Sequence, residues 1–438
     1  MKIAVLGGTD GLGKTIAKFL KKEGFELLIT GQNTSKGEKA AKELGLQFSN
    51  DNKLTASKSD IIIIAVPIDK IENVIQEIAN FLKPNSLVID VGSIKEKPAK
   101  AMVKYLPKNH EFIPIHPIFG PRTTSLKGQV MVLTPLKKGK WYFKIINYLK
   151  NHQVKVIETS PEEHDKMMGI VQVLTHFSYI STAYALKKLK VDIKKTREFA
   201  SPIYNLMVDI IGRIVSQNPE LTYSIQKDNL KGKIIRECFL NASKEINESL
   251  NSDNKEKFKE IAISATKNIN DIESSLGRSD KAIDSITNEL IKLTESLKKE
   301  IAVKHIYSKE IHYGFLEKID SDFIFIKNPN SKAKKCQRLK ISNIELLSSE
   351  DFLKWKKNNI PTKNYQITVV FNKNSDPEVI KNTLEIVPNV INVKIVEIYK
   401  GNQINENQIS INFSITTFKK KDLYKVTKIL KGFGGIIR

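Results

Sequence analysis

Glycines near the start of the chain have the spacing of a phosphate-binding turn. The segment IAVLGGTDGLGKTIAKFL places them between an apolar run and a helical pattern. Such glycines permit a tight turn, and the N-terminus of the following helix can hold a pyrophosphate. We therefore predict a dinucleotide site in this loop, formed by Gly8, Thr9, Asp10, Gly11, Leu12 and Gly13. Asp10 occupies the second glycine position of the fingerprint, where its carboxylate would repel a pyrophosphate unless it points away.

The residues after the second apolar run bear on the choice between NAD and NADP. Sites that prefer NAD carry an acidic residue there for the ribose hydroxyls, whereas this chain has Gln32, Asn33 and Thr34. No carboxylate would repel a 2′-phosphate, and no arginine would attract one. We expect NAD or NADP as the cofactor, with a preference for NADP. An equally good interpretation is that residues 32–36 are only the polar start of a helix.

Three side chains farther along the chain could act on a small anionic substrate. His116 ends an apolar run, at the edge where doubly wound sheets bind ligands, and histidine suits proton transfer near neutral pH. Arg213 lies in an apolar helical pattern, where burial of its charge would require an anion. His176 lies in an almost wholly apolar helical pattern and, taken alone, is typical of a core histidine.

The patterns around these residues predict the elements that position them. Residues 1–160 alternate β-branched runs, among them EFIPIH (111–116), with helical patterns. The central runs are apolar throughout, which predicts the α/β class with a doubly wound N-terminal Rossmann domain. Residues 161–303 show only helical patterns, the last of them over 278–302, and several carry apolar residues on more than one face. These patterns predict an all-helical dimerisation domain that is buried against a second subunit.

Two smaller regions complete the chain. Residues 304–363 are strand-rich and basic, which predicts a small β-rich module, and NNIPTKN (358–364) is the best linker candidate. Residues 364–438 follow the order strand, helix, strand, strand, helix, strand. This order predicts a ferredoxin-like βαββαβ domain.

Composition excludes several classes of protein. The chain has 438 residues, a net charge of +23 and two cysteines, too few for a disulfide framework or a zinc knuckle. No metal site is predicted, and a reducing compartment is expected. The apolar stretch 169–186 is too short and too polar to span a membrane, and the N-terminal segment lacks the longer apolar region that a signal peptide requires. We expect a cytoplasmic protein without a membrane partner. Lysines spread along the whole chain make nucleic acid an unexpected partner too.

Several segments, in this order, resemble prephenate dehydrogenases: IIIIAVP (61–67), DVGSIK (90–95), HPIFGP (116–121), EEHDKMMGIVQVLTHF (162–177) and SPIYNLMVDIIGRIVSQNPEL (201–221). The resemblance extends to about residue 275, and residues 364–438 resemble an ACT-type regulatory domain. It implies oxidative decarboxylation of prephenate to 4-hydroxyphenylpyruvate, with hydride transfer to NAD(P)+, in tyrosine biosynthesis. It also implies a homodimer, with tyrosine as a candidate feedback ligand.

The same resemblance implies roles for individual residues. His116 would be the catalytic base, and Ser93 would bind the substrate hydroxyl and orient that histidine, although Ser93 alone is typical of a helix N-cap. Arg213 would grip a substrate carboxylate, and His176 would be a second substrate-site histidine. Val66 and Pro67 would line the cofactor. His164 is more typical of a structural residue at a helix start, although family members share the His-Asp pair.

Three departures from the family pattern bear on specificity and regulation. Arg122 follows HPIFGP, where many members have an acidic or small polar residue. We expect it to repel the ammonium group of arogenate and attract the pyruvyl carboxylate of prephenate. Asn205 stands where many bacterial members have an arginine, so one anchor is missing. Glu378 replaces a glycine of the ACT ligand turn, so we expect that domain to serve in subunit contacts and tyrosine to compete at Arg213 and His176.

Other interpretations remain open at this point. One is an arogenate dehydrogenase. Another is a different 6-phosphogluconate-dehydrogenase-like oxidoreductase, which explains GGTDGLG and IIIIAVP but not SPIY followed by IGR. A third is a basic nucleotide-sensing regulator without catalytic activity, consistent with the positive charge.

Overall fold

Apolar runs near the N-terminus form a six-stranded parallel sheet. The computed structural model describes residues 1–269, 271–320, 322–328, 336–401 and 403–438. The strands of this sheet are β1 Lys2–Leu6, β2 Glu26–Thr30, β3 Gln47–Ser49, β4 Ile61–Ile64, β5 Leu87–Asp90 and β6 Glu111–Phe112. They pair in the order β3-β2-β1-β4-β5-β6, the strand order of a Rossmann fold. All four isoleucines of β4 are buried, as the prediction of a sheet covered on both faces requires.

Helices cover this sheet, and a second, three-stranded sheet follows it. The helices are α1 Gly11–Lys22, α2 Thr34–Leu44, α3 Asn52–Ser57, α4 Ile71–Ile78, α5 Glu96–Tyr105 and α6 Lys140–Asn151. The second sheet contains β7 Ile115–Pro117, β8 Val130–Leu133 and β9 Lys155–Glu158.

The prediction of one continuous strand over 111–116 is wrong. Its residues divide between β6 in the first sheet and β7 in the second. Pro114 lies at the break, where its missing N–H cannot donate to a strand ladder. His116 therefore lies on β7, opposite Val132 of β8, rather than at the end of a strand of the parallel sheet.

The next segment is helical, as predicted. Its helices are α7 Pro161–Met168, α8 Thr175–Lys188, α9 Ile193–Glu198, α10 Pro202–Val215, α11 Pro219–Asp228, α12 Gly232–Asn251, α13 Lys255–Thr266 and α14 Ile272–Glu295. A π-helical turn, Gly169–Leu174, joins α7 to α8. The helices α7, α10 and α11 each begin with a proline behind a Ser or Asn cap, the residue types that these positions favour.

The chain divides into two compact units, Met1–Ile272 and Glu273–Arg438. In the second unit the predicted helix over 278–302 is wrong beyond Glu295. Lys298 adopts a left-handed φ of 63°, which ends the helical path, and a strand begins at Glu300. Its residues Ile301 and Val303 are buried in a sheet core together with Leu293 of α14.

That sheet and a four-stranded sheet make up the rest of the second unit. The five strands of the first are β10 Glu300–His305, β11 Ile311–Ile319, β12 Phe323–Lys327, β13 Gln337–Lys340 and β14 Ile344–Leu346, in the order β13-β12-β11-β10-β14. Helix α15, Ser349–Asn359, follows. The β-rich module thus begins at Glu300, before the predicted boundary at 304.

The C-terminal elements have the predicted order. They are β15 Lys363–Asn372, α16 Pro377–Glu385, β16 Val390–Tyr399, β17 Gln408–Thr417, α17 Leu423–Gly432 and β18 Ile436–Ile437. The strands form an antiparallel sheet in the order β16-β17-β15-β18. Phe371 and Phe413 of the sheet share a core with Ile380, Leu384 and Val426 of the two helices. Across the described residues, no helix has the combined length and apolar character needed to cross a membrane.

Candidate active site

The glycine-rich turn joins β1 to α1. Gly7 has a φ of 84°, and a Cβ there would lie 2.7 Å from the carbonyl oxygen of Ala65. A Cβ on Gly13 would lie 2.2 Å from the carbonyl oxygen of Gly7. Asp10 is exposed at the N-cap of α1, and its side chain makes no capping bond. The N-cap side chain therefore leaves the first N–H groups of α1 open, so the turn and helix fit a bound pyrophosphate.

The remaining predicted cofactor residues lie at the ends of β2 and β4. Asn33 caps α2, because its side chain accepts from the backbone N–H of Lys36 at 2.9 Å. Asn33 thus belongs to the polar start of a helix, and its part in cofactor binding stays a prediction. Its exposed neighbours Gln32 and Thr34 carry no carboxylate that would repel a 2′-phosphate. Val66 adjoins the glycine turn, since its backbone nitrogen lies 3.1 Å from the position of a Cβ on Gly7. The exposed Pro67 follows it.

His116 is buried on β7 at one end of a chain of hydrogen bonds. Its Nδ1 lies 2.9 Å from Nε2 of His164, and Nδ1 of His164 lies 2.7 Å from Oδ1 of Asp165. The Asp165 carboxylate also accepts from the backbone N–H groups of Lys95 at 2.8 Å and Glu96 at 3.0 Å. None of the three side chains is more than 3% exposed. We name His116, His164 and Asp165 the histidine relay.

The relay fixes which nitrogen of His116 carries a proton. A carboxylate only accepts hydrogen bonds, so Asp165 makes Nδ1 of His164 the donor and its Nε2 an acceptor. That Nε2 in turn accepts from Nδ1–H of His116, so Nε2 of His116 keeps a free lone pair. Burial, and less strongly the nearby His164 and Lys95, hold the pKa of His116 well below its ordinary value. His116 therefore stays neutral and can accept a proton at Nε2.

A buried ion pair supports the strand that carries His116. The side chains of Lys95 and Asp90 contact each other, and both are fully buried. Nζ of Lys95 also donates to the carbonyl oxygen of Ile115 at 3.1 Å, immediately before His116. Burial lowers the pKa of Lys95 and raises the pKa of Asp90, although their mutual attraction opposes both changes. Sequence reasoning missed Lys95 as a support, although it belongs to the DVGSIK segment.

The prediction that Ser93 caps the following helix is wrong. The N-cap of α5 is Lys95, and Asp165 takes the first N–H groups of the helix from outside. Ser93 itself is half-buried in the loop before α5. The structure shows no hydrogen bond between it and His116, both described residues. Its role toward a substrate hydroxyl stays a prediction.

Two polar side chains project from the helical segment after the relay. Nε2 of Gln172, in the π-helical turn, lies 3.4 Å from Nε2 of His116. Oε1 of Gln172 and Nδ1 of His176 are buried, and neither has a partner in the described protein. Burial lowers the pKa of His176. Sequence reasoning missed Gln172, but its spacing of four residues from His176 in an apolar helix was a usable signal.

The two arginines expected to bind carboxylates are exposed. Arg213 lies near the end of α10, away from the buried Val208 and Ile211. The expectation that the charge of Arg213 is buried is therefore wrong for a single chain, because the rest of the chain covers only one side of α10. Arg122 is exposed just after β7. Asn205, at the position of the missing arginine, accepts instead from the guanidinium of Arg197 at 3.2 Å.

The structure thus brings His116, His164, Asp165 and Gln172 together, and it leaves Arg213 and Arg122 on the surface. In the portion of the chain that is described, no three His, Cys, Asp or Glu side chains are grouped to hold a metal ion.

Comparison with known proteins places this site in context. Residues 16–158 match the family model for the prephenate dehydrogenase nucleotide-binding domain, and residues 160–262 match that for the prephenate dehydrogenase dimerization domain. A Methanocaldococcus jannaschii protein named probable arogenate/prephenate dehydrogenase is 42% identical over 99% of this chain and 98% of its own length. The chloroplastic arogenate dehydrogenase 2 of Arabidopsis thaliana is 28% identical over 51% of this chain and 63% of its own.

A solved structure shows the same fold over the first part of the chain. It is the prephenate dehydrogenase of A. aeolicus in complex with hydroxyphenyl propionate and NAD+. The match covers 62% of this chain and 98% of the A. aeolicus chain, with a TM-score of 0.50 and 21% sequence identity.

Proposed function

The chain belongs to the prephenate dehydrogenase family, and from that premise we propose that it converts prephenate to 4-hydroxyphenylpyruvate in tyrosine biosynthesis. The observation that carries the proposal is the histidine relay. It leaves one buried, neutral acceptor nitrogen, Nε2 of His116. Prephenate carries a ring hydroxyl that must lose its proton as the ring is oxidised. A neutral histidine in a water-poor site suits that role.

The remaining residues would serve the same reaction. When bound, NAD(P)+ supplies the hydride acceptor, and the turn Gly7–Gly13 with the N-terminus of α1 would hold its pyrophosphate. His116 accepts the hydroxyl proton through Nε2. Ser93 would contact the same hydroxyl, and His176 would line the ring. Val66 and Pro67, beside the glycine turn, would contact the cofactor.

We propose prephenate rather than arogenate as the preferred substrate. The two differ in one side chain, which carries a keto group in prephenate and an ammonium group in arogenate. The relatives include proteins named for both substrates. Arg122, on the surface after β7, would repel the ammonium group and attract the carboxylate beside the keto group. Arg213 would bind the other carboxylate through a charge-assisted pair.

One assay tests the proposal. Reduced-cofactor absorbance is followed with prephenate and with arogenate, each against NAD+ and NADP+. We expect turnover of prephenate with a higher kcat/KM than arogenate, and a higher kcat/KM with NADP+ than with NAD+. Turnover of arogenate alone would reverse the substrate assignment. The absence of turnover with either substrate would contradict the function.

We propose that the chain forms a homodimer through its helical segment. Many large apolar side chains of this segment are exposed in the single chain, including Ile170, Ile203, Ile210, Val215, Ile234 and Leu240. This surface is more than an isolated subunit normally exposes, and it lies in the region that matches the dimerization domain. Light scattering at micromolar concentration is expected to give the mass of a dimer. A monomer under those conditions would contradict the proposal.

We propose that residues 364–438 form an ACT-like domain that makes subunit contacts rather than binding tyrosine. Asp376 accepts from the backbone N–H groups of Glu378 at 2.8 Å and Val379 at 3.3 Å. The N–H groups that an amino-acid carboxylate would use at the start of α16 are therefore already occupied. Tyrosine is expected to raise KM for prephenate without changing kcat. A fall in kcat at saturating prephenate would instead indicate a separate regulatory site.

A further inference from the structure

The hydrogen-bond position at Nε2 of His116 is occupied by an amide. Nε2 of Gln172 lies 3.4 Å from that nitrogen. Because the relay leaves a lone pair there, the amide must present its N–H and not its oxygen, since an oxygen would face another acceptor. Gln172 therefore stands where a substrate hydroxyl must arrive to give its proton to His116.

The other end of this amide has no partner in the part of the chain that the structure describes. Oε1 of Gln172 is buried and unpaired, as is Nδ1 of His176, four residues later and only 8% exposed. Buried polar atoms are normally paired, and exceptions call for a ligand or an equivalent explanation. Both atoms belong to side chains on one face of the same helical segment. Apart from the contact with His116, no hydrogen bond from the described residues holds the amide, so it can follow an incoming ligand.

The backbone that carries Gln172 is itself unusual. Gly169–Leu174 is π-helical, and such turns are rare and occur frequently at functional sites. A Cβ on Gly169 would lie 2.5 Å from a side-chain carbon of Ile235 in α12. The close approach of α12 at this glycine helps to keep the turn in place, and with it the position of Gln172.

We propose that Gln172 is a further catalytic residue, whose amide N–H donates to the substrate hydroxyl oxygen throughout the reaction. The inference rests on the proposed function. The hydroxyl proton passes to Nε2 of His116, and bound NAD(P)+ would accept the hydride from the same carbon. The bond to the ring carboxylate breaks, its electron pair enters the ring, and CO2 leaves. Negative charge then reaches the oxygen as phenolate, where the Gln172 N–H stabilises it until His116 returns the proton.

The test compares two buried amides. Asn412 of β17 also has a buried Oδ1 without a partner in the described protein, and it belongs to the second unit, so it is a matched control outside the π-helical turn and the relay. We expect Gln172→Leu to lower kcat roughly 10²–10³-fold with KM within about threefold, and Asn412→Leu to keep kcat within about threefold. Equal losses in the two variants would overturn the inference.

A second variant gives a readout that a purely structural role would not move. Gln172→Glu places a carboxylate beside His116, which raises the pKa of the histidine. The acid limb of the kcat profile is then expected to move to higher pH by about one unit or more. An acid limb at the same pH as in the wild-type chain would overturn the inference, even where Gln172→Leu fails to fold. A wild-type chain without turnover of prephenate or arogenate would instead refute the proposed function, and this inference with it.

Discussion

Replacing Asp165 with asparagine tests whether the relay sets the protonation of His116. The carboxylate accepts three hydrogen bonds, two from backbone N–H groups of α5 and one from His164. An asparagine has one oxygen and one NH2 group, so either orientation turns a donor toward a backbone N–H. In one orientation the NH2 group also faces His164, which then adopts the other tautomer. His116 would follow, and its Nε2 would carry the proton that it should receive.

The expected magnitude follows from the lost contacts. Hydrogen bonds to charged groups contribute about 1.5–3 kcal/mol each. When the NH2 group faces His164, two such bonds to the carboxylate are lost, one from His164 and one from the backbone N–H of Lys95. A loss of about 3–6 kcal/mol in the transition state corresponds to a roughly 10²–10⁴-fold lower kcat. KM is expected to stay within about threefold, because Asp165 is buried behind His164.

The assay is the initial rate of cofactor reduction, with ¹⁵N NMR of histidine-labelled protein to identify tautomers among seven histidines. Asp228→Asn is the matched control. Asp228 of α11 pairs with Lys97 of α5 at 2.6 Å. This ion pair does not belong to the relay, and exposed ion pairs contribute little to stability. The reasoning is refuted if Asp165→Asn folds normally and keeps kcat within threefold.

Four further predictions concern His116 and Arg213. His116→Asn is expected to lower kcat roughly 10²–10⁴-fold with little change in KM; an unaltered kcat would remove His116 as the base. Arg213→Gln is expected mainly to raise KM for prephenate, and an unchanged KM would contradict its role as carboxylate anchor. The pKa of His116 is lowered in the folded chain, so the acid limb of kcat/KM should lie below pH 6.5. The unfolded chain then binds the proton more readily than the folded chain, so the free energy of unfolding should fall as the pH drops below 6.5. This fall should be smaller in His116→Asn.

Local patterns were sufficient to predict most of the first unit. The β-branched runs ending at Leu6, Thr30 and Ile64 form adjacent parallel strands, because a sheet covered on both faces requires continuous apolar runs. The glycine turn was equally readable, since a Cβ at Gly13 would collide with the backbone. Such features depend on a few neighbouring residues, so they are visible in the sequence.

Features that depend on distant contacts were not predictable in the same way. His164 follows a serine cap and a proline, so its own segment indicates only the start of a helix. Its partner His116 is 48 residues away, and only folding brings the two rings together. The exposure of Arg213 was missed for a related reason. An apolar helical pattern shows that a face is to be covered, but it does not show whether the same chain covers it.

The Asp165 carboxylate joins two regions that match separate domain models. The helix N-terminus that holds it belongs to the nucleotide-binding region, whereas Asp165 and His164 belong to the dimerization region. The orientation of His116 is therefore a joint product of two modules, and neither module alone would hold this ring as the whole chain does. A shuffled gene that joined this nucleotide-binding module to an unrelated helical partner would keep its glycine turn, yet lose the groups that orient His116. Selection for the proposed activity would thus act on both modules together, through one buried carboxylate.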